Sequence, residues 1–476
     1  MTPIEFRRYG YEVVDWIADY LADVGKYPVL PDMQPGDLAD KLPPSAPEQP
    51  ESMDAILEDF RKLIVPALTH WNHPRFHAYF ANSSSGPGIL AEALCAAVNV
   101  NGMLWKSAPA ATELEQVTLG WLRQWLGLPE DWFGIIYDTA SISSMHAVAA
   151  AREMADPEVR RRGGTAGLVL YTSQHAHSSI EKAAITLGIG QDNVRAIGVD
   201  DQFRMQIADL RSAVEADVAA GKKPFCVVPT VGTTSTSSID PVAAVAQIAH
   251  QYGMWMHVDA AYGGSAAVVP EYRKIFFDGV GQAHSLVVNP HKWLFTPMDI
   301  SVFYTREPEI LRRTFSLVAE YLKTGEDSRA INYMDYGVQL GRRFRSLKLW
   351  FVMRYYGHQK IARMIRHHIE WAQDLAGLIR ANPQFEVVAP TPFSLICFRY
   401  AGPDDQNRQL LERINGTGQA FLSHTVLNGR YVLRLAIGNI ATTWHDLEQT
   451  WDLIQTQALR LRSEAHDTIQ SVQEDS

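Results

Sequence analysis

Five stretches of the chain carry residues able to do chemistry, and each follows a β-rich run. Asp138-Thr139-Ala140-Ser141 follows Gly134-Ile-Ile-Tyr137 and opens a helix, whose first N–H groups and dipole suit a phosphate. His175-Ala176-His177-Ser178-Ser179 comes after the run ending at Tyr171, and Thr230-Val231-Gly232-Thr233-Thr234 follows Phe225–Pro229. Asp259, with His257 beside it, closes the run from Met254, and Asn289-Pro290-His291-Lys292 follows Ser285–Val288. Taken singly, these are ordinary caps, turn formers and a lysine whose stem snorkels along the surface. In chain order they supply a phosphate cradle, a histidine, a hydroxyl loop, a carboxylate and a lysine. Those are the parts needed to hold a phosphorylated aldehyde with a basic ring nitrogen.

Such residues work together only if one scaffold brings them to one crevice. From about 86 to 310, the runs Gly167–Tyr171, Phe225–Pro229, Met254–Val258 and Ser285–Val288 alternate with alanine-rich helical stretches near 145–154 and 241–252. Continuous apolar runs of this kind predict a doubly wound, mostly parallel α/β sheet, which binds ligands at the carboxyl ends of its strands. Beyond 380, the runs Phe385–Val388, Ser394–Phe398 and Tyr431–Leu435, with a helix from about Trp444, predict a small α+β domain whose polar tail frays after about 462. At the other end, Val13, Val14, Ile17, Tyr20, Leu21 and Val24 recur at helical spacing. Seven prolines between Pro28 and Pro50 then impose an extended connector before a second helix built on Met53, Ile56, Leu57, Phe60 and Leu63. The apolar faces of this segment exceed what two or three helices hide from each other, so it is expected to pack on a partner subunit. The expected division is 1–85 as an N-terminal helical dimerisation segment, 86–380 as the large α/β domain and 381–476 as the small domain.

Composition narrows the partners. With 476 residues, 46% apolar and 20% charged, the chain is a globular protein rather than a disordered or fibrous one. A net charge of −10 without a concentrated basic patch points to small molecules rather than nucleic acid. Three dispersed cysteines (Cys95, Cys226, Cys397) suggest neither a disulfide framework nor a metal site, and so a reducing cytoplasm. The first residues lack an export-signal pattern and no run is long enough to span a membrane.

The strings Asn289-Pro-His-Lys-Trp-Leu294, His257-Val-Asp-Ala-Ala-Tyr262, Ala176-His-Ser-Ser179, Gly232-Thr-Thr234, His73-Pro-Arg-Phe76 and Leu340-Gly-Arg-Arg-Phe-Arg-Ser-Leu-Lys348 together resemble the pyridoxal-phosphate-dependent group II decarboxylases. The aromatic-L-amino-acid decarboxylases are the nearest branch. The resemblance covers about residues 4–455. It implies a fold type I, aspartate aminotransferase-like large domain and a homodimer with interfacial active sites and exchanged N-terminal helices. It implies that pyridoxal 5'-phosphate is held covalently by Lys292, with Asp259 on the pyridine nitrogen and His177 stacked on the ring. Ala140, Ser141, Asn289 and Thr234 match phosphate or cofactor contacts, Ala261 packs under the ring, and His291 is a candidate proton carrier. Tyr321 matches the proton-donating tyrosine of a catalytic loop near 316–333; relatives with phenylalanine there are oxidative aldehyde synthases, whereas tyrosine accompanies simple decarboxylation.

The implied pocket for an aromatic amino acid takes Trp71, Tyr79, Phe80 and Asn82 from one part of the dimer and Asn101 and Met103 from the other. Gly341 matches the position where glycine accompanies indolic preference, although a helix-entry glycine is an equally ordinary reading of it. Three residues depart from the family: Asp138 for glycine, Asn82 for threonine and Met103 for phenylalanine. The expectation is a tryptophan-preferring decarboxylase without a metal. The alternatives are a tyrosine, DOPA or phenylalanine decarboxylase, then an oxidative aldehyde synthase, then a catalytically dead binding relative.

Overall fold

The computed structural model describes residues 1–165, 167–317 and 330–474, with side chains to 464. Helix α1 (Pro3–Ala22) begins at a capping box, in which Thr2 accepts from the Glu5 N–H, Glu5 accepts from the Thr2 N–H, and Pro3 takes the first helical position. A connector containing only short helical turns leads to α2 (Met53–Asp59). Asp54 of α2 accepts from Arg8 and from Tyr9 at 2.8 Å each, and Trp16 meets the Phe60 ring edge-on at 4.9 Å. No residue of α1 is buried, and Ile4, Phe6, Tyr11 and Val14 are exposed.

Residues 82–373 and 389–396 form the larger compact unit. It opens with α3 (Gly86–Val98) and α4 (Pro109–Leu126). Its sheet comprises β1 (Phe133–Tyr137), β2 (Leu168–Ser173), β3 (Val194–Ile197), β4 (Lys223–Val228), β5 (Trp255–Asp259), β6 (Ser285–Val288) and β7 (Ser301–Thr305), in the order β1-β7-β6-β5-β4-β2-β3. Pairings among β2 to β6 are parallel, and β7 runs antiparallel to both β6 and β1. This is the mostly parallel sheet expected. Helix α5 (Ala140–Ala155), alanine-rich and thin enough to lie close, packs on β4 and β5, with Ala147, Val148, Ala150 and Ala151 buried in the same cluster as Leu170, Val228 and Trp255.

Residues 1–81, 374–388 and 397–476 form the second unit. Its sheet takes β8 (Phe385–Val387), β9 (Leu395–Tyr400), β10 (Ser423–Leu427) and β11 (Arg430–Ala436) in the order β10-β11-β9-β8. The N-terminal segment is therefore not a unit of its own, as the three-part division had it. The His77 N–H donates to the Phe421 carbonyl at 2.8 Å, the Ala436 N–H to His77 at 2.9 Å and the Val29 N–H to Gly418 at 2.7 Å. Phe76, fully buried, stacks edge-on with Phe421 at 5.5 Å. These contacts bind the two ends of the chain into one core. The tail also departs from expectation: the last helix runs Trp444–Glu474 rather than fraying after 462.

Phe76→Ala should remove the centre of that small core and destabilise the unit by about 3–5 kcal/mol. The measurement is its transition in urea unfolding; a loss below about 1 kcal/mol would show that the N-terminal segment adds little to this unit.

Candidate active site

Because β2, β4, β5 and β6 run parallel, their carboxyl ends share one edge of the sheet, and the loops leaving them carry the chemistry-bearing residues. Two of these loops touch through glycines. Gly232 has φ +89°, and a Cβ on it would lie 3.1 Å from the Gly263 nitrogen; a Cβ on Gly263 would lie 2.5 Å from the Val231 carbonyl oxygen. Only glycines allow this approach. Beyond the strands the pairing continues, with the Ala260 N–H donating to Val287 at 3.2 Å and the Asn289 N–H to Ala261 at 3.0 Å. The turn carrying Lys292 is thereby held to the strand end carrying Asp259.

Asp259 is buried, and its Oδ1 accepts from the Ala261 N–H at 3.1 Å. Lys292 is half-buried, and desolvation of its amine pulls its pKa below the usual lysine value, against the opposing pull of the Asp259 carboxylate. His177 is exposed at the crevice, yet the surrounding protein desolvates it enough to lower its pKa, with Asp259 pulling the other way and Lys292 adding to the fall. The three groups thus lie within electrostatic reach of one another. Ser179 fixes the His177 ring, its Oγ lying 2.9 Å from Nδ1 and its N–H donating there at 3.1 Å. Nδ1 is therefore an acceptor toward the backbone. His291 is buried, and desolvation, with a smaller push from Lys292, drives its pKa to about 4. Its Nδ1 accepts from the Ile300 N–H at 3.0 Å, so the neutral ring carries its proton on Nε2.

Helix α5 starts at Ala140 with Thr139 at the N-cap, and no side chain caps it. The first bonds of the helix run from the Ile142 and Ser143 N–H groups to the Thr139 carbonyl, at 3.2 and 3.1 Å, so the N–H groups of Ala140 and Ser141 ahead of them present an anion site. Asp138 accepts from the Thr139 N–H at 2.5 Å and from Thr139 Oγ1 at 3.1 Å, which spends its carboxylate on its neighbour. Asn289 is buried, and its Oδ1 has no hydrogen-bond partner among the described residues. Thr233 is buried in a hydroxyl cluster with Thr236 and Ser238, while Thr234 is exposed. Ala261 is buried and small. An anion-ready helix start, an orphaned amide oxygen, a desolvated lysine, a buried carboxylate and an imidazole with an open face fit pyridoxal phosphate.

The larger unit also brings together Asn101, Met103 and Gly341. Asn101 Nδ2 lies 3.6 Å from Met103 Sδ, and a Cβ on Gly341 would lie 3.8 Å from the same nitrogen. Gly341 lies five residues ahead of the helix that starts at Ser346 and has no left-handed φ, so helix entry does not account for it. In the same unit Asn82 donates to Met298 Sδ at 3.8 Å. In the smaller unit Trp71 and Tyr79 stack at 5.9 Å, Tyr79 sits at φ 51°, and Arg434 lies over the Phe80 ring at 5.5 Å. Tyr321 lies outside the described residues.

Sequence reasoning missed a buried ion pair, Arg342–Glu115 at 2.7 Å, that anchors the Gly341 segment. The only signal was Arg342's place in the Gly-Arg-Arg-Phe string; Glu115 carried none. It also missed a buried relay at β5: Trp255 Nε1–H donates to Ser285 Oγ at 2.9 Å, and His257 lies 2.9 Å from Ser285 Oγ and 3.3 Å from Ser144 Oγ on α5.

Fold and site together define a fold type I pyridoxal-phosphate enzyme. Residues 35–401 match the model of the pyridoxal-dependent decarboxylase conserved domain. The chain is 40% identical to a phenylacetaldehyde synthase of Arabidopsis thaliana over 96% of both chains. It is 40% identical to tyrosine decarboxylase 4 of Petroselinum crispum over 98% of this chain and 95% of that one. The crystal structure of Oryza sativa TDC with PLP and tryptamine superposes with a TM-score of 0.93 at 37% identity, covering 97% of this chain and 99% of that one. The chain belongs to the pyridoxal-dependent decarboxylase family, within its aromatic amino acid branch, and is a pyridoxal-phosphate-dependent carboxy-lyase.

His257 and His291 are both held neutral by burial, with pKa values of about 4 against an ordinary 6.5. Unfolding frees these rings to take up protons, so the stability they confer is complete above about pH 6.5 and is lost as pH falls toward 4. The thermal midpoint should decline across that window, and His257→Gln should make the decline shallower. An identical slope in the variant would show that this imidazole is not part of it.

Proposed function

We propose that this enzyme converts an aromatic L-amino acid, tryptophan ahead of tyrosine, to the arylalkylamine and carbon dioxide, as a cytoplasmic homodimer with interfacial sites. When bound, pyridoxal phosphate supplies an electron sink for the pair left by departing carbon dioxide. The chain's own residues do the rest. Lys292, its amine inclined by desolvation to shed its proton, is the nucleophile that holds the cofactor aldehyde. Asp259 keeps a proton on the pyridine nitrogen, and the His177 ring lies against the cofactor face. The α5 start, with Ala140 and Ser141, takes the phosphate, while Asn289, Thr234 and Ala261 complete the cofactor contacts. Tyr321 delivers the proton to the substrate Cα. His291, neutral with its Nδ1 occupied by Ile300, can act only through Nε2.

Several observations support the dimer. Ile4, Phe6 and Tyr11 on α1 and Leu90, Leu94 and Val98 on α3 leave apolar surface exposed on the single chain. The three cysteines are free thiols, which suits a reducing compartment.

The indolic preference rests on the open space at Gly341, where a Cβ would meet nothing closer than Asn101 Nδ2 at 3.8 Å. A side chain there fills room that the second ring of an indole would use. Such a change is worth about 1–3 kcal/mol, or roughly 10- to 200-fold in kcat/KM. Wild type competing tryptophan against tyrosine should favour tryptophan, and Gly341→Ser should narrow or invert the ratio with the cofactor absorbance unchanged. A wild type that prefers tyrosine, or an unmoved ratio, sinks the indole assignment.

A second reading, an oxidative aldehyde synthase, is favoured by the 40% identity to a phenylacetaldehyde synthase. Tyr321 speaks for the amine. Tyr321→Phe, assayed in air by chromatography, should divert product from amine toward aldehyde, ammonia and hydrogen peroxide, with dioxygen as the oxidant. Aldehyde as the main product of wild type would instead establish the second reading.

A further inference from the structure

We propose that Asn101 reads the substrate ring, presenting an amide N–H donor that selects aromatic L-amino acids bearing a ring oxygen. The inference rests on the aromatic decarboxylase reading above, which places Asn101, Met103 and Gly341 in the pocket. The orientation of the amide is forced by its partner. The Arg342 backbone N–H donates to Asn101 Oδ1 at 2.9 Å, and a backbone N–H cannot accept, so the oxygen must face Arg342 and the amino group must face away. That amino group points toward Met103 Sδ, 3.6 Å off, and toward the space over Gly341. A thioether is a weak acceptor, and glycine offers no side chain to compete. Asn101 is exposed, so the donor is accessible.

The donor is also held firmly. The Gly102 N–H donates to the Arg342 carbonyl at 2.8 Å, so residues 101–102 and 342 clasp each other in both directions. The Arg342 guanidinium donates to Glu115 at 2.7 Å and to the Ile136 carbonyl at 2.8 Å, and lies 4.4 Å from the centre of the Tyr333 ring. Glu115 in turn accepts from the Ile136 N–H at 2.9 Å. Both charged side chains are nearly buried, at 9% and 5% exposure, and a buried pair of this kind strongly resists losing its geometry. Glu115 and Arg342 are thus positioning residues: they fix Asn101 relative to β1, the strand that leads to the phosphate cradle.

A fixed donor rewards an acceptor. The hydroxyl oxygen of a phenol or a hydroxyindole accepts from Asn101, whereas indole N–H is donor only and an unsubstituted ring edge offers nothing. The room over Gly341 governs ring size, and Asn101 governs ring oxygen, so the two preferences are separate. A ring-hydroxylated tryptophan satisfies both.

The test uses the holoenzyme with two substrate pairs, phenylalanine against tyrosine and tryptophan against ring-hydroxylated tryptophan. One neutral hydrogen bond predicts that the hydroxylated member is favoured about three- to tenfold in kcat/KM, mainly through KM. In Asn101→Leu both ratios should fall to about one. Calorimetry with the desamino acids hydroxyphenylpropionate and phenylpropionate, which lack the amine needed to react with the cofactor, should show the same preference in wild-type binding. That measurement stands even if the variant does not fold. Equal affinities for the two acids, wild-type ratios near one, or wild-type ratios retained in Asn101→Leu would overturn the proposal while leaving decarboxylation intact. Failure to decarboxylate any aromatic amino acid would overturn the underlying reading and this one with it.

Discussion

The arrangement depends on keeping a lysine amine out of water beside a carboxylate. A lysine in solvent holds its proton to high pH and is a poor nucleophile; desolvation lowers that pKa, while a nearby carboxylate raises it again. Lys292 lies between these two pulls, and desolvation is the larger. The balance is set by register. The pairing of β5 with β6 places His257 opposite Ser285, Val258 opposite Leu286 and Asp259 opposite Val287, and backbone bonds from Ala260 and Asn289 carry it beyond the strands. A slip of one residue would turn Asp259 to the opposite face of the sheet. The buried relay of Trp255, Ser285, His257 and Ser144 resists such a slip, because it ties adjacent strands and α5 together through directional bonds.

What the sequence makes legible follows from how each element is buried. Strands β2, β4, β5 and β6 lie between covering helices and read as continuous apolar runs, so their carboxyl ends, and the site residues just beyond, can be located without coordinates. Strand β3, an edge strand reading Val-Arg-Ala-Ile, and β10, an edge strand of the small sheet reading Ser-His-Thr-Val-Leu, break their apolar runs with polar residues and do not announce themselves. The joining of the chain's two ends in one unit was not legible either. It rests on contacts such as Phe76 with Phe421, where neither local sequence names its partner. The polar stretch after 462 misleads in the other direction, since the helix that starts at Trp444 continues to Glu474.

The same distinction holds within the site. Lys292, Asp259 and His177 sit in short local strings, and their chemistry can be argued from residue type and neighbours. The Arg342–Glu115 pair joins residues 227 positions apart, and only the fold shows that the arginine of a recognisable string is turned inward to a buried carboxylate. Nor does residue type alone say which end of the Asn101 amide is presented; the answer comes from a backbone donor on a distant segment.

This separation bears on how one fold can serve several products. The groups proposed to act on the cofactor sit at the ends of buried parallel strands, where register and burial leave little freedom. The groups assigned to the substrate ring sit on the loop at 101–103 and the segment at 341–342, outside the strands and close to solvent. A substitution at Gly341 meets open space, and one at Asn101 gives up a weak sulfur contact and one exposed hydrogen bond from the Arg342 N–H rather than a packed core, so the cost in stability is modest. A substitution at Asp259 or Asn289 disturbs a buried polar group or the pairing that extends the sheet. Selectivity for the ring can therefore drift while the cofactor chemistry stays fixed, which is the pattern expected of a family whose members, 40% identical to this chain, bear the names of a tyrosine decarboxylase and a phenylacetaldehyde synthase.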